Sequence, residues 1–538
     1  MSIPSAATMD SLPNELVSMI HEEAVLTYSD ASPTVPNLDR ATLANISLVC
    51  RRWRQNSLEN GKLWAVAFDF DRDTSAWFQE LVRRSKTSPI SISSSKGSFY
   101  SYFSSRKKDL LEKFTSQKWQ EAFKLAALWG AFSLQTALPA NKENLAALDE
   151  GLKQPTPKLE SFTLINTHRA FPANLGPEEV QFTLPNNLFA GSAPHLKTFI
   201  VDQVFFPSNF NFSVWNNLTY LNVSQDVFRA RQNVMRRTTQ NWLDILRPLT
   251  MLEKLDLHDV FSTSDKEHQS GFASVPDVHF KRLSLLKLST GFAKEMMFDL
   301  FVKIVVPSSC SIAIHIHHWG FRFSDYPRLA FKKLRYGMDR HIRRVLANNQ
   351  NGSLAVDLQN SLDGIEFGLD VWLYDDSEGS ANRVWRPLPI FTFLQSRTWP
   401  NGTEDLTRSA METLETIPRA PTSAEYPFSQ LLAAMKNLPA SELLITSWPR
   451  IVADDVGPLC RFLSRCEHAD AVEIYDTDVV ILDILQRKLS TRRGPLLPNL
   501  SSFQFDPAFK EDIPRLEAFR LWRESIGKLP TRFEIHDV

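Results

Sequence analysis

A leucine followed at fixed offsets by two more apolar residues, L-x-x-Φ-x-Φ with Φ apolar, recurs along most of this chain. It appears as Leu159-Phe162-Leu164, Leu196-Phe199-Val201, Leu218-Leu221-Val223, Leu252-Leu255-Leu257 and Leu283-Leu286-Leu288. It returns as Leu362-Ile365-Phe367 and Leu500-Phe503-Phe505, with weaker copies around Ile314, Leu443 and Val472. The early copies are spaced by 22 to 37 residues, where stacked repeat arrays have their periods. Each copy offers one short strand whose alternate residues face a core. A lone strand cannot cover its apolar edge and must stack on neighbours. An α/β solenoid with helical returns of variable length is therefore expected over 159–538. Two stretches break the rhythm. Residues 318–350 form a basic, helix-like insertion, and 375–430, rich in Pro, Ser, Thr and Trp, read as a long loop or lid.

Residues 66–158 read as connecting helices and first degenerate repeats. Within them, 74–92 predict a helix ending near Ser85 and then a strand, followed by a Ser-rich basic loop. The whole chain has 538 residues, too long for one small core. Its 43% hydrophobic content can fill a large interior. A net charge of −1 argues against a nucleic-acid partner, which usually meets a strongly basic domain. No apolar run approaches a bilayer span; FVKIVV before Pro307 is far too short. The start, MSIPSAATMDSLPNEL, lacks the positive end and apolar core of a signal peptide. Cys50, Cys310, Cys460 and Cys466 are accordingly expected as reduced thiols in the cytoplasm or nucleus.

Residues 10–26 carry helix-start chemistry: Asp10 or Ser11 to cap, Pro13 for the first turn, and Glu15 at the positive end of the dipole. Leu16, Met19 and Ile20 share one helical face. Residues 28–37 (YSDASPTVPN) read as a loop, and a second helix runs through Leu38, Leu43, Ile46 and Val49. A short third helix holds Trp53, and Leu63 and Trp64 close the unit. So small a unit cannot bury Leu12, Pro13, Leu16, Val49, Trp53 and Trp64 together. Some pack on a partner, where aromatic anchors dominate the energy, or against the rest of the chain.

The series Leu12-Pro13-x-Glu15-Leu16-x-x-x-Ile20, then Leu48-Val49-Cys50-Arg51-Arg52-Trp53-Arg54, then Leu63-Trp64, resembles an F-box over roughly residues 10–65. The departure is the 28–37 segment, longer than the usual link between the first two helices. The resemblance implies docking on a Skp-type adaptor, and through it on a cullin–RING ubiquitin ligase. Leu12, Pro13, Leu16, Ile20, Val49, Trp53, Leu63 and Trp64 would be the adaptor-binding residues. The flanking arginines then read as a solvated helix edge and not a DNA contact. The remainder resembles, more loosely, the irregular leucine-rich-repeat solenoids of fungal-type F-box proteins.

Catalytic patterns are scarce. Neither a phosphate-binding G-x-x-x-x-G-K-[ST] loop nor a G-x-S-x-G elbow occurs, and no C-x-x-C is present to build a zinc RING. Cys460 and Cys466 read as small core residues. His315 and His317 share one face of a strand and, with His258, invite a metal reading. The simpler reading leaves them on the open face of the array, and no metal or cofactor is expected. The run KKLRYGMDRHIRR (332–344) is either a solvated helix face or an Arg/Lys patch for an acidic or phosphorylated segment.

These readings converge on a non-catalytic substrate receptor of a cullin–RING ligase, acting by proximity. Its alternative is a leucine-rich-repeat scaffold with no ubiquitination role. Client-contact candidates are the residues that alternate with buried positions, Tyr220, Asn222, Lys254, Asp256, His258, Lys287, His315 and Glu366. Arg340, Arg343 and Arg344 join them from the basic run.

Overall fold

The computed structural model of the chain describes residues 12–29, 32–38, 40–66, 74–94, 120–136, 142–166, 182–207, 215–225, 237–261, 275–291, 294–317, 328–348, 352–360, 366–375, 388–396, 440–446, 459–464, 466, 469–477, 480–486, 496–507 and 512–535. The chain divides into two compact units, 1–236 with 244–254, and 237–243 with 255–538.

The first unit opens with α1 (Asn14–Val25). Pro13 stands just before it, and its carbonyl accepts the Val17 N–H at 3.2 Å. Pro13 thus occupies the cap position, where a missing N–H is no loss. A hairpin follows, β1 (Leu26–Ser29) against β2 (Ser32–Leu38), antiparallel from Leu26↔Leu38. This replaces the loop expected over 28–37. Pro33 falls where the register shifts between Tyr28 and Ser29, off the paired ladder, so it removes no ladder bond there. Next come α2 (Arg40–Val49), α3 (Arg51–Glu59) and α4 (Gly61–Val66). Between α2 and α3, the Cys50 sulfur accepts the Trp53 N–H at 3.4 Å and so caps α3.

Thr74 caps α5 (Ser75–Ser85) by accepting the Trp77 N–H at 3.3 Å. Arg83 and Arg84 lie in the last turn of α5, where cations suit the dipole. Lys86, at φ 56°, ends that helix. A parallel ladder then builds in sequence order: β3 (Ile90–Ser94), β4 (Trp129–Thr136), β5 (Ser161–Asn166), β6 (Thr198–Asp202) and β7 (Tyr220–Ser224), with α6 (Lys142–Leu152) between β4 and β5. The ladder therefore begins well before the first strong leucine motif. Its register aligns Ile92, Phe132, Phe162, Phe199 and Leu221 in one buried row. Phe162 stacks on Phe132 at 5.5 Å and on Phe199 at 5.4 Å. The leading leucine of each motif is a turn residue. Leu159, Leu196, Leu218 and Leu252 each send their N–H to a carbonyl three residues back, and each is buried.

In the second unit the strands are β8 (Lys254–His258), β9 (Val278–His279), β10 (Leu285–Thr290), β11 (Ile304–Val305), β12 (Ser311–His317), β13 (Gly352–Asn360), β14 (Glu366–Asp375), β15 (Leu388–Ser396), β16 (Ala440–Thr446), β17 (Ala471–Thr477), β18 (Ser502–Pro507) and β19 (Arg532–Ile535). Lys254, at the start of β8, belongs to the first unit. The helices are α7 (Thr239–Leu246), whose first turns belong here, α8 (Lys294–Lys303), α9 (Arg328–Asn348), α10 (Val480–Gln486) and α11 (Ile513–Ser525). The spatial order is β8-β10-β12-β15-β14-β13-β16-β17-β18-β19, with β9 and β11 paired apart. Leu286 and Leu288 lie beside Ile312 and Ile314, and Val472 and Ile474 lie beside Phe503 and Phe505, all buried.

Two expectations change in this unit. The copy at Leu362-Ile365-Phe367 does not supply a parallel rung. Leu362 and Ile365 lie outside the described residues, and β14 runs antiparallel to both β13 and β15. The apolar spacing fixes which residues alternate but not which way the strand runs. Within 375–430, expected as loop or lid, Leu388–Ser396 is a strand paired parallel to β12. Its sequence, LPIFTFLQS, alternates as strands do; the surrounding Pro and Ser hid it. The basic stretch in 318–350 is helical, as its spacing predicts.

Candidate functional site

The first helices pack through a small polar and aromatic core. Val17 and His21, one turn apart on α1, are buried. His21 meets the Trp53 ring edge-on at 4.9 Å, and the Ser57 hydroxyl lies 3.2 Å from His21 Nδ1. Ser57 also donates to the Trp53 carbonyl at 2.9 Å. Burial holds the His21 pKa below its ordinary value, because a charged imidazole loses its solvation there. Ser18 donates to Asn56 Oδ1 at 2.9 Å, and Asn56 in turn donates to the Asn14 carbonyl at 3.1 Å. These bonds set α3 across the start of α1.

Arginines of the motif belong to this framework. Arg52 donates to the Leu12 carbonyl and, at 2.9 Å, to Asn14 Oδ1; Arg54 donates to the Ser47 carbonyl at 3.0 Å. Arg51 and Arg54 are exposed, as the solvated edge expected for all three requires, and Arg52 is half-buried.

The opposite side of α1 is apolar and open. Leu16, Met19 (63% exposed) and Ile20 follow at helical spacing, with Pro13 exposed at the helix start. At the end of α2, Leu48 (69%) and Val49 (61%) are exposed as well. Leu12 and Trp53 are half-buried. Soluble surfaces seldom carry such patches without an interaction to serve. Leu12, Pro13, Leu16, Ile20, Val49 and Trp53 therefore keep surface to offer. Met19 and Leu48 belong with them, although the sequence reading did not single them out for docking. The signal was present: Met19 is three positions from Leu16, and Leu48 adjoins Val49.

Leu63 and Trp64 are different. Leu63 packs in a core with Ile46, Leu43 and Trp53, and Trp64 is buried. The Trp64 indole donates to the Ser57 carbonyl at 2.9 Å, and Arg84 lies over its ring at 4.3 Å. Arg84 is itself held by Glu80 at 2.6 Å. Both residues hold α4 in place and leave no surface for a partner, which corrects their expected role.

Of the alternating positions, Tyr220, Asn222, Asp256, His258 and Lys287 are half-exposed and Lys254 is exposed, whereas Ser133, Ser161, Thr163 and Ser289 on the same phase are buried. In the first unit Asn222 donates to the Tyr220 hydroxyl at 3.2 Å, and Lys254 reaches the Tyr220 ring at 6.0 Å. In the second, Lys287 pairs with Asp256 at 3.6 Å, and His258 Nδ1 lies 3.5 Å from the buried Asp259. His315 is half-buried; the side chains of His317 and Glu366 lie outside the description. Among the described residues no group of three or more His, Cys, Asp or Glu could hold a metal ion, and no helix is long and apolar enough to cross a membrane. Burial pushes the Cys310 thiol up to about 12, far from a nucleophile's range.

The basic run corrects most sharply. Arg340 is half-buried, donates to the Ile304 carbonyl at 2.6 Å and pairs with Asp277 at 3.5 Å. Arg344 reaches the Val306 carbonyl at 3.5 Å, and Lys333 pairs with Asp299 of α8 at 2.5 Å. These side chains dock α9 onto α8 and β11. Of the three arginines proposed to face a client, Arg343 alone is exposed.

A family model for F-box-like domains matches residues 9–68, the span that contains α1 to α4. F-box domains typically bind Skp-type adaptors, and F-box proteins are in general adaptors and not enzymes. No curated protein matches the chain.

Proposed function

We propose that this protein is the substrate-receptor subunit of a cullin–RING ubiquitin ligase. Its F-box-like helices dock a Skp-type adaptor, and the strand ladders act as an irregular leucine-rich-repeat-like solenoid that holds a client protein. The observation that carries the reading is the apolar surface left open on α1 and α2, Leu16, Met19, Ile20, Leu48 and Val49, inside the region matched as F-box-like. Catalysis on this reading is proximity: the client's lysines are held near a ubiquitin donor bound elsewhere in the ligase.

Outward residues on alternate ladder positions are the proposed client-contact surface of each unit, Tyr220, Asn222 and Lys254 in the first and Asp256, His258, Lys287 and His315 in the second. Arg340 and Arg344 drop out of that surface because their donors are already committed to backbone carbonyls. The test is co-purification of the full chain with a Skp-type adaptor and a cullin. Adaptor binding without cullin would favour a scaffold outside ubiquitination. Loss of both, with the fold intact, would remove the docking claim.

A further inference from the structure

At one end of the second unit's ladder, β19 pairs with β18 and with no other described strand. The Arg532 N–H donates to the Ser501 carbonyl at 3.1 Å, so residues 532 and 534 turn their backbone groups toward β18. By the alternation of a strand, Phe533 and Ile535 turn theirs to the open edge. The strand is firmly placed: Phe533 stacks on Phe503 at 5.0 Å and lies 6.5 Å from Phe519. An ordered strand with unused donors and acceptors is a template for another strand.

The sequence of that edge says which strand fits. Arg532 and Glu534 stand two apart on one face and pair with each other at 2.9 Å. If a second β19 approaches antiparallel and centred on Phe533, the two Phe533 residues exchange their outward N–H···O bonds. Arg532 then stands directly opposite the partner's Glu534, and Glu534 opposite the partner's Arg532. These flanking pairs fall at non-hydrogen-bonded sites, where side chains come closest. Sliding the register by two places in either direction sets Arg532 against Arg532 or Glu534 against Glu534. Charge thus selects one register, and a two-fold pairing uses the same patch on both copies.

We propose that β19 is a self-pairing edge through which two copies of this chain associate by antiparallel strand addition about Phe533. A strand this short buries little area, so the association is weak and depends on concentration.

Sedimentation velocity of the full chain, from low to several hundred micromolar, tests this directly. The expected result is reversible dimer formation in the native chain. Arg532→Glu or Glu534→Arg alone should weaken it by about tenfold or more, since each sets like charges opposite twice over. The double reversal, Arg532→Glu with Glu534→Arg, should restore it. Phe533→Pro removes an outward N–H together with the ring stacked on Phe503, so it should abolish the dimer at a cost in thermal stability, and the charge reversals, which leave that packing intact, are the deciding variants. A native chain that remains monomeric overturns the proposal. So does a dimer indifferent to the single reversals, which would use another face, or a double variant no better than the singles. Adaptor co-purification, measured on the same variants, is expected to be unchanged, so failure here is distinguishable from failure of the F-box docking.

Discussion

At the scale of single residues, the F-box helices separate side chains that look alike in sequence. Val49 and Trp64 both belong to the motif, yet one is exposed and the other buried. Leu16→Asp with Val49→Glu should cost about 2 kcal/mol or more of adaptor binding, the range of interface anchors, with thermal unfolding little changed. Calorimetric titration with the adaptor checks the first part. Trp64→Ala should instead cost about 3–5 kcal/mol of stability, seen as loss of protection on α3 and α4 in hydrogen exchange. His21 adds a pH dependence. Its folded pKa is lowered from an ordinary value of 6.5 by burial, so the unfolded chain binds the proton more readily. The contribution is present above pH 6.5 and is lost progressively as the pH falls below that value toward the folded pKa. Hydrogen-exchange protection of α1 and α3 should decline over that window, and His21→Gln should flatten the decline. That His21 and Ser57 would meet was not legible in the sequence. They are 36 positions apart and neither stands out within its own helix.

Whole elements were legible where the period of apolar residues decides them. The motif sets Leu255 and Leu257 inward and Asp256 outward, and the strand lies in that phase. Leu255→Ala should cost about 2–5 kcal/mol as a buried truncation. Asp256→Ala loses a partly solvated ion pair with Lys287 and should change stability by about 0.5 kcal/mol or less. Urea denaturation of the two variants gives the comparison, and equal costs would invert the strand. What period cannot supply is the partner of an element. Nothing in KKLRYGMDRHIRR says that its cations end on the carbonyls of Ile304 and Val306. Gly337 explains how close that docking is, since a Cβ there would overlap the Phe301 ring. Gly337→Ala gains about 1 kcal/mol of helix propensity. It meets an overpacking cost of about 1–3 kcal/mol, so a small net destabilisation is expected in the same denaturation series. Arg343→Glu should be near neutral, whereas Arg340→Glu should destabilise, with no common effect on client recruitment in co-precipitation.

Across the whole chain, the parallel ladders were anticipated by the leucine motif, and the excursion within the second was not. Strand order there runs β12-β15-β14-β13-β16, so three strands enter in reverse. The consequence lies in the order of assembly. A ladder laid down in sequence order can grow as each strand finds the one just finished. That rule holds from β3 to β7 and again from β16 to β19. At β12 it stops, because the next strand made, β13, lands three places away with no finished strand beside it. It must first be flanked by β14, which turns back, and then by β15, which closes onto β12. Only then is the sheet continuous from β12 to β16. Bringing Ser311–His317 against Leu388–Ser396, and Gly352–Asn360 against Ala440–Thr446, each closes a far longer loop than the steps between strands consecutive in sequence, and such closures slow folding more than they weaken the fold. The joins of β12 to β15 and of β13 to β16 are therefore the expected kinetic bottlenecks of the second unit, the last seams sewn.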